Sequence, residues 1–439
     1  MSEDLQKRYD HNSKIFLISY IFMGILSGIT GDALMTYLNQ VAPAIATSFA
    51  TTMGLATLLT AFLVLCIPKI GYKKVLISGP IACIIGLVAV SMITNTIGIG
   101  IVTLLLMSGV CLFDAVLPPF LTQYTSPQKR DVMFSRVMYT NVIGMTIATF
   151  SGGSLIVWRF AAKLGVPYEQ AKILTGDVAA FNQVQQAAYI GAHKDVLLMF
   201  VIVTALALIP LFFLKEVKSD YSEETKEKKG INWSVLANKY VILFLVYNLL
   251  IRFGASLIVP YFSIFLSSLG IDRSTVSQLV TAQYVAMVLF MMASPLVVKK
   301  FGKVIALGLL SALSIPFMIL IANGDKFGSG MVLAVGLGLF FRSGFMNAAN
   351  PISQSLPMEF VTKELRPAYS SILFICQSIG QTLAGIFTAS FLFNDKFFGA
   401  DGYRLAYYIA AVLYVIATVL LVTKFTKKYN RSETEKEAA

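Results

Sequence analysis

The chain has 439 residues, of which 56% are hydrophobic and 13% charged. Soluble globular domains run at about 45–50% apolar and about 25% charged, so this composition excludes an ordinary soluble enzyme, a disordered chain and a disulfide-stapled scaffold. A net charge of +12 would suggest nucleic acid in a soluble domain. Here the bases sit in short polar segments between apolar runs, where they orient the chain in a bilayer.

Residues 1–14 are polar and mixed in charge, unlike a secretory signal, so the first apolar run is expected to be retained. Runs long enough to cross a bilayer as helices lie at 15–38, 48–67, 75–95, 98–122, 136–158 and 195–214. Six more follow at 241–265, 275–298, 303–323, 329–352, 368–393 and 403–424. Residues 215–239 between the two sets are dense in Lys and Glu and read as a linker. The expected organisation is an N-terminal six-helix bundle at 1–214, a cytoplasmic linker at 215–239, a C-terminal six-helix bundle at 240–425 and a cytoplasmic tail at 426–439. With the N-terminus inside and the spans alternating, 25 of the 35 Lys and Arg residues fall on the inner side. Eight fall in outer loops, among them Arg159, Lys163, Lys194 and Arg273. That asymmetry predicts a multi-pass protein of the plasma (inner) membrane with both termini cytoplasmic. The outer segment 159–194 is long and reads as an interfacial helix or a lid.

Cys66, Cys83, Cys111 and Cys376 lie in or beside apolar runs without a CxxC pair, and read as packing residues. The two histidines, His11 and His193, fall outside the apolar runs, so no metal site is expected.

The two sets of spans echo each other. Lys69-Ile70-Gly71-Tyr72-Lys73 follows span 2, and Lys300-Phe301-Gly302-Lys303 follows span 8. Ser108-Gly109 in span 4 matches Ser343-Gly344 in span 10, and Arg130 with Phe134-Ser135 matches Arg366 with Tyr369-Ser370. The offsets, 231, 235 and 236 residues, point to two parallel halves. With its charged linker and basic glycine turns, the chain resembles the major facilitator superfamily of secondary transporters. That family's loop after span 2 reads G-x-x-x-D-R-x-G-R-R. Gly71, Lys73 and Lys69 fit its glycine and basic positions, whereas Pro68 stands where its Asp usually lies and Val64 replaces its first glycine. Thr149-Phe150-Ser151-Gly152-Gly153 keeps the double glycine of the antiporter pattern G-P-x-x-G-G without its proline. The resemblance implies an all-α membrane protein of two pseudo-symmetric six-helix bundles, with spans 1, 4, 7 and 10 lining a central path.

Four ionisable residues lie well inside the spans: Asp32, Asp114, Arg252 and Arg342, one each in spans 1, 4, 7 and 10. Each would cost about 2.5–3.5 kcal/mol facing lipid, so they are expected to face a shared wet crevice or one another. Arg252 and Arg342 fall near the bilayer midplane, Asp32 toward the outside and Asp114 toward the inside. Arginine stays charged and offers a planar fork to a carboxylate or phosphate, so Arg252 and Arg342 are read as the anion holders. A desolvated carboxyl can titrate near neutrality, so Asp32 first and Asp114 second are read as proton-coupling sites. Packing pairs, Asp32–Arg252 or Asp114–Arg342, are the competing reading. Tyr37, Tyr247, Asn248, Gln283, Asn347, Gln377 and Gln381 could complete the substrate pocket, with helix–helix hydrogen bonding as their ordinary alternative. Gating is assigned to Gly71, Lys73 and Gly302 in the basic turns, and to Gly254 and Pro260, which are expected to interrupt span 7.

The resulting expectation is a monomeric transporter of a small organic anion, working by alternating access and coupled to H⁺, with sodium as another possible ion and no cofactor. The competing transport reading is a proton-driven exporter of drug-like or lipid-like compounds. No P-loop occurs, so no ATP engine is expected, and an embedded enzyme or receptor finds no support, because no intramembrane histidine, no paired catalytic motif and no soluble catalytic domain occur.

Overall fold

A computed structural model describes residues 3–64, 66–125, 127–221, 236–361 and 366–430. The described residues are helical, with no strand among them. Among the described residues twelve apolar helices follow one another: α1 (Asp4–Val41), α2 (Phe49–Val64), α3 (Tyr72–Met92), α4 (Thr96–Tyr124), α5 (Arg136–Leu164) and α6 (Gln183–Phe212), then α7 (Lys239–Ser268), α8 (Arg273–Phe301), α9 (Lys303–Ala322), α10 (Gly324–Ser355), α11 (Ile372–Leu392) and α12 (Asp401–Tyr429). Eleven are long and apolar enough to span a bilayer, and α2 is shorter, with 16 residues. A helix satisfies its backbone internally, which hydrocarbon requires. The helix starts carry ordinary polar signals: Asn95 caps α4, Asn182 and Gln185 form a capping box at α6, and Asn238 caps α7.

Contacts group the described chain into two units, one within Met1–Lys226 plus Ser263–Thr281, the other within Glu227–Phe262 plus Ala282–Ala439. The first unit thus includes the end of α7 and the start of α8. Inside the first unit α1 packs on α5, α3 on α4 and α6, and α1 on α6. Inside the second, α7 packs on α11, α9 on α10 and α12, and α7 on α12. The same pairings recur six helices later, which is the parallel repeat that the sequence offsets predict.

The two basic turns have the same backbone. Gly71 (φ +88°) precedes α3 and Gly302 (φ +81°) precedes α9, conformations that an L side chain disfavours. Each turn is capped from the end of its own bundle. The Glu216 carboxylate accepts the backbone N–H groups of Tyr72 and Lys73, while Lys73 Nζ donates to the carbonyls of Phe212 and Leu214. In the other unit, Asn430 accepts from Lys303 N through its carbonyl and from Ile305 N through Oδ1, both at 2.9 Å.

Three expectations change. The segment 159–194 is not one surface stretch: α5 runs to Leu164 and α6 starts at Gln183. Only residues 165–182 connect them, with a short helix at Tyr168–Leu174. Arg159 and Lys163, assigned to a loop, both bind Asp195 of α6, at 2.6 and 3.0 Å, so the charges that mark a span end in the sequence are neutralised between helices. His193 is fully buried in α6, its Nδ1 2.9 Å from the Tyr189 carbonyl and its ring beside Tyr37 and Tyr189. Of the linker, residues 222–235 lie outside the described residues, as do Lys363 and the tail from residue 431.

Candidate functional site

Asp32 sits in a single π turn, Thr30–Leu34, inside α1. Such a turn carries one surplus residue and is enriched at functional positions. Asp32 is 0% exposed. Its Oδ1 accepts from Arg273 Nη1 at 2.9 Å and Ser263 Oγ at 2.5 Å; its Oδ2 accepts from Arg273 Nη2 and Ser277 Oγ, each at 2.6 Å. The acceptor sites of the carboxylate are therefore filled, and the pair is bidentate and dry. The surroundings hold α8 close. Thr175 Oγ1 accepts from Arg273 N, Ser154 and Ser274 share a hydrogen bond, and Thr281 donates to Thr149. A Cβ on Gly153 would lie 2.3 Å from Ser277 Oγ, so only glycine lets α5 come this near to α8.

The Asp32–Arg252 pairing is thereby corrected. The partner is Arg273, which the sequence reading left in an outer loop. Its position in the first turn of α8 gives no local hint of burial. The one usable signal is depth: Asp32 falls toward the outer end of span 1, level with where span 8 begins. Gly28, one turn before Asp32, packs against α5, where a Cβ would meet the Met145 carbonyl at 2.6 Å.

Asp114 has a different environment. Its side chain is exposed. The Tyr20 hydroxyl donates to it. Tyr20 in turn stacks with Phe16 and Phe113, and Asn141 Nδ2 donates to the Tyr20 carbonyl at 3.4 Å. Asp114 forms no ion pair among the described residues.

Arg252 and Arg342 belong to the second unit. Arg342 is 3% exposed; its Nη2 donates to Tyr414 Oη at 3.3 Å and its guanidinium lies 5.5 Å above the Phe262 ring. Its Nε is buried without a hydrogen-bond partner. Arg252, half-buried, donates from Nη2 to Gln377 Oε1 at 2.9 Å. The Tyr414 ring packs at Gly254, two residues beyond Arg252. Neither arginine forms an ion pair with a described carboxylate. Within the second unit Arg252, Tyr414 and Arg342 form one group; within the first, Asp32 is paired and Asp114 is exposed.

The remaining candidates divide. Gln377 contacts Arg252, Gln381 lies one turn further and is half-buried, and Gln283 accepts from Ser343 Oγ at 3.0 Å. Asn248 and Asn347 donate to the carbonyls of Phe244 and Ser343, one turn back on their own helices. Tyr37 donates to the Val90 carbonyl, and Tyr247 is buried against Phe244. In α7 the helix breaks only at Val259–Tyr261, around Pro260. Gly254 lies within the unbroken stretch Lys239–Ile258, and what it provides is room for the Tyr414 ring. Among the described residues no cluster of metal-binding side chains occurs.

Among the described residues, twelve apolar helices in two repeated sets, with charged groups well inside four of them, make a multi-pass membrane fold. The Major Facilitator Superfamily model matches residues 243–439, the C-terminal part of the chain. The fold is similar to that of the nucleoside transporter NupG (TM-score 0.69, 13% identity, covering 95% of this chain and 99% of that one). It is also similar to a D-xylose–proton symporter (0.69, 13%, 93% and 97%). A third is a bacterial homolog of the human lysosomal transporter Spinster, inward-facing and occupied (0.63, 14%, 99% and 100%). No curated protein matches in sequence.

Proposed function

We propose that this transporter moves a small organic anion by alternating access, and that Asp114 couples the movement to H⁺. The observation that carries the reading is Arg342: a buried guanidinium with an unpartnered Nε, next to Tyr414 and Arg252, with no described counter-ion. A buried cation without an anion is strongly disfavoured unless a ligand completes it. A substrate carboxylate or phosphate is that ligand, and Gln377, Gln283 and Tyr414 add neutral contacts. Asp114 takes the proton role because its carboxyl is open and paired only with a hydroxyl. Asp32 takes a structural one: with its acceptor sites filled by Arg273 and two serines, it pins the start of α8 to α1. Any conformation that withdraws the first turn of α8 has to break that latch. In this reading both termini are cytoplasmic, the membrane is the plasma (inner) membrane and the working unit is a monomer.

A second reading, a neutral nucleoside or sugar, is favoured by the structural neighbours described as nucleoside, xylose–proton and fucose–proton transporters. Uptake into proteoliposomes under an imposed pH gradient separates the two. Acid outside should drive accumulation of labelled organic anions, and Arg342→Gln should abolish it. Accumulation of neutral pentoses or nucleosides alone would establish the second reading instead.

A further inference from the structure

The arginine pocket also says how many charges its ligand carries. Arg342 spends one N–H on the Tyr414 hydroxyl and keeps its buried Nε free of any acceptor. Arg252 spends one on an uncharged amide, Gln377. Tyr414 joins them, its hydroxyl on Arg342 and its ring against Gly254, one half-turn past Arg252 on α7. Phe262 covers one face of the Arg342 guanidinium, which leaves the nitrogen edge for an oxyanion. Arginine remains protonated throughout the physiological range. The pocket therefore carries two positive charges, and neither meets a described carboxylate. A singly charged ligand would leave one guanidinium uncompensated at bilayer depth.

Resting on the anion reading above, we propose that the pocket selects a doubly charged small organic anion, a phosphate monoester or a dicarboxylate, with Arg252 and Arg342 sharing its oxygens across Tyr414. The test compares ligands that differ only in charge: glycerol phosphate against glycerol sulfate, succinate against succinamate, with a neutral pentose as control. Each is titrated into the detergent-purified full-length protein, and affinity is read from the rise in unfolding temperature, since a ligand of the native state must stabilise it. The dianion of a pair should bind about tenfold or more tightly than its monoanion. The phosphate monoester should lose that advantage as the pH falls through its second ionisation near 6, while the sulfate ester does not change. Arg252→Gln should bring the dianion-to-monoanion ratio toward one. Discrimination in the phosphate pair alone identifies a phosphate monoester; discrimination in the carboxylate pair alone identifies a dicarboxylate. Equal affinity within each pair overturns the charge count and leaves the anion reading standing. Stabilisation by the pentose alone, or by none of the anions, overturns both. The wild-type comparison decides the matter even where the variant does not fold.

Discussion

The two ionic sites of this molecule are opposites. Asp32 and Arg273 meet 241 positions apart in sequence, fully buried, each satisfying the other. Arg252 and Arg342 are held among neutral groups, and one nitrogen is left without an acceptor. The same kind of side chain thus serves two purposes, and what decides is the counter-charge. Where the protein supplies it, the arginine fastens helices; where it does not, the proposal above has the arginine meet a substrate anion. The difference should show in which variants lose stability and which lose transport.

The largest effect is expected at Arg273. Arg273→Ala leaves a buried carboxylate alone, a change that costs about 3–5 kcal/mol in comparable pairs. The unfolding midpoint in detergent should drop steeply, and a double variant Asp32→Leu/Arg273→Met should recover most of it. A single variant as stable as the parent would show that the pair holds nothing together. Next comes Arg342→Gln, with a loss of about 2–5 kcal/mol in transition-state binding, read as kcat/KM for uptake. Its thermal stability should stay near that of the parent, because no ion pair is broken. A fall in stability equal to that of Arg273→Ala would erase the contrast. Asp114→Asn should abolish pH-driven accumulation yet keep substrate exchange at equilibrium, and Tyr20→Phe should weaken the coupling less. Retained accumulation against a gradient in Asp114→Asn would remove this residue from the coupling.

Smaller effects come from the paired turns. Gly71→Ala and Gly302→Ala each force a left-handed backbone on a side chain, costing about 1–2 kcal/mol apiece. The caps of those turns differ in one respect. Glu216 titrates, and burial pushes its carboxyl above the usual range against the pull of two backbone N–H groups. The folded state then holds its proton more tightly than the unfolded one. Its contribution to stability is present in full below the ordinary Glu value and fades as pH rises through the folded one. Asn430 has no such dependence. Replacing Glu216 with Gln should flatten the stability profile over that window, and an unaltered profile would show that burial at this cap is too slight to matter.

Much of the architecture is legible in the sequence because it follows from short-range rules. Apolar run length locates the spans, and one backbone requirement, a glycine before α3 and another before α9, repeats at nearly constant offset. Arg252 and Arg342 are legible because a charge inside a greasy run stands out. Arg273 is not, because a base in the first turn of a helix looks the same whether it faces water or a carboxylate on another helix. Arg159, Lys163 and Asp195 hide for the reverse reason: three charges mark a loop to the eye, although together they form a neutral joint between α5 and α6. In both cases the missing fact is the tertiary partner, which composition and periodicity do not encode.

The wide turn at Thr30–Leu34 has one more implication. A surplus residue in a helix can migrate along the rod without snapping its ladder. Shifting it past Asp32 would swivel that side chain by about 100° around the axis. The latch could then be released by rotating α1 in place, with no need to bend or tilt the rod.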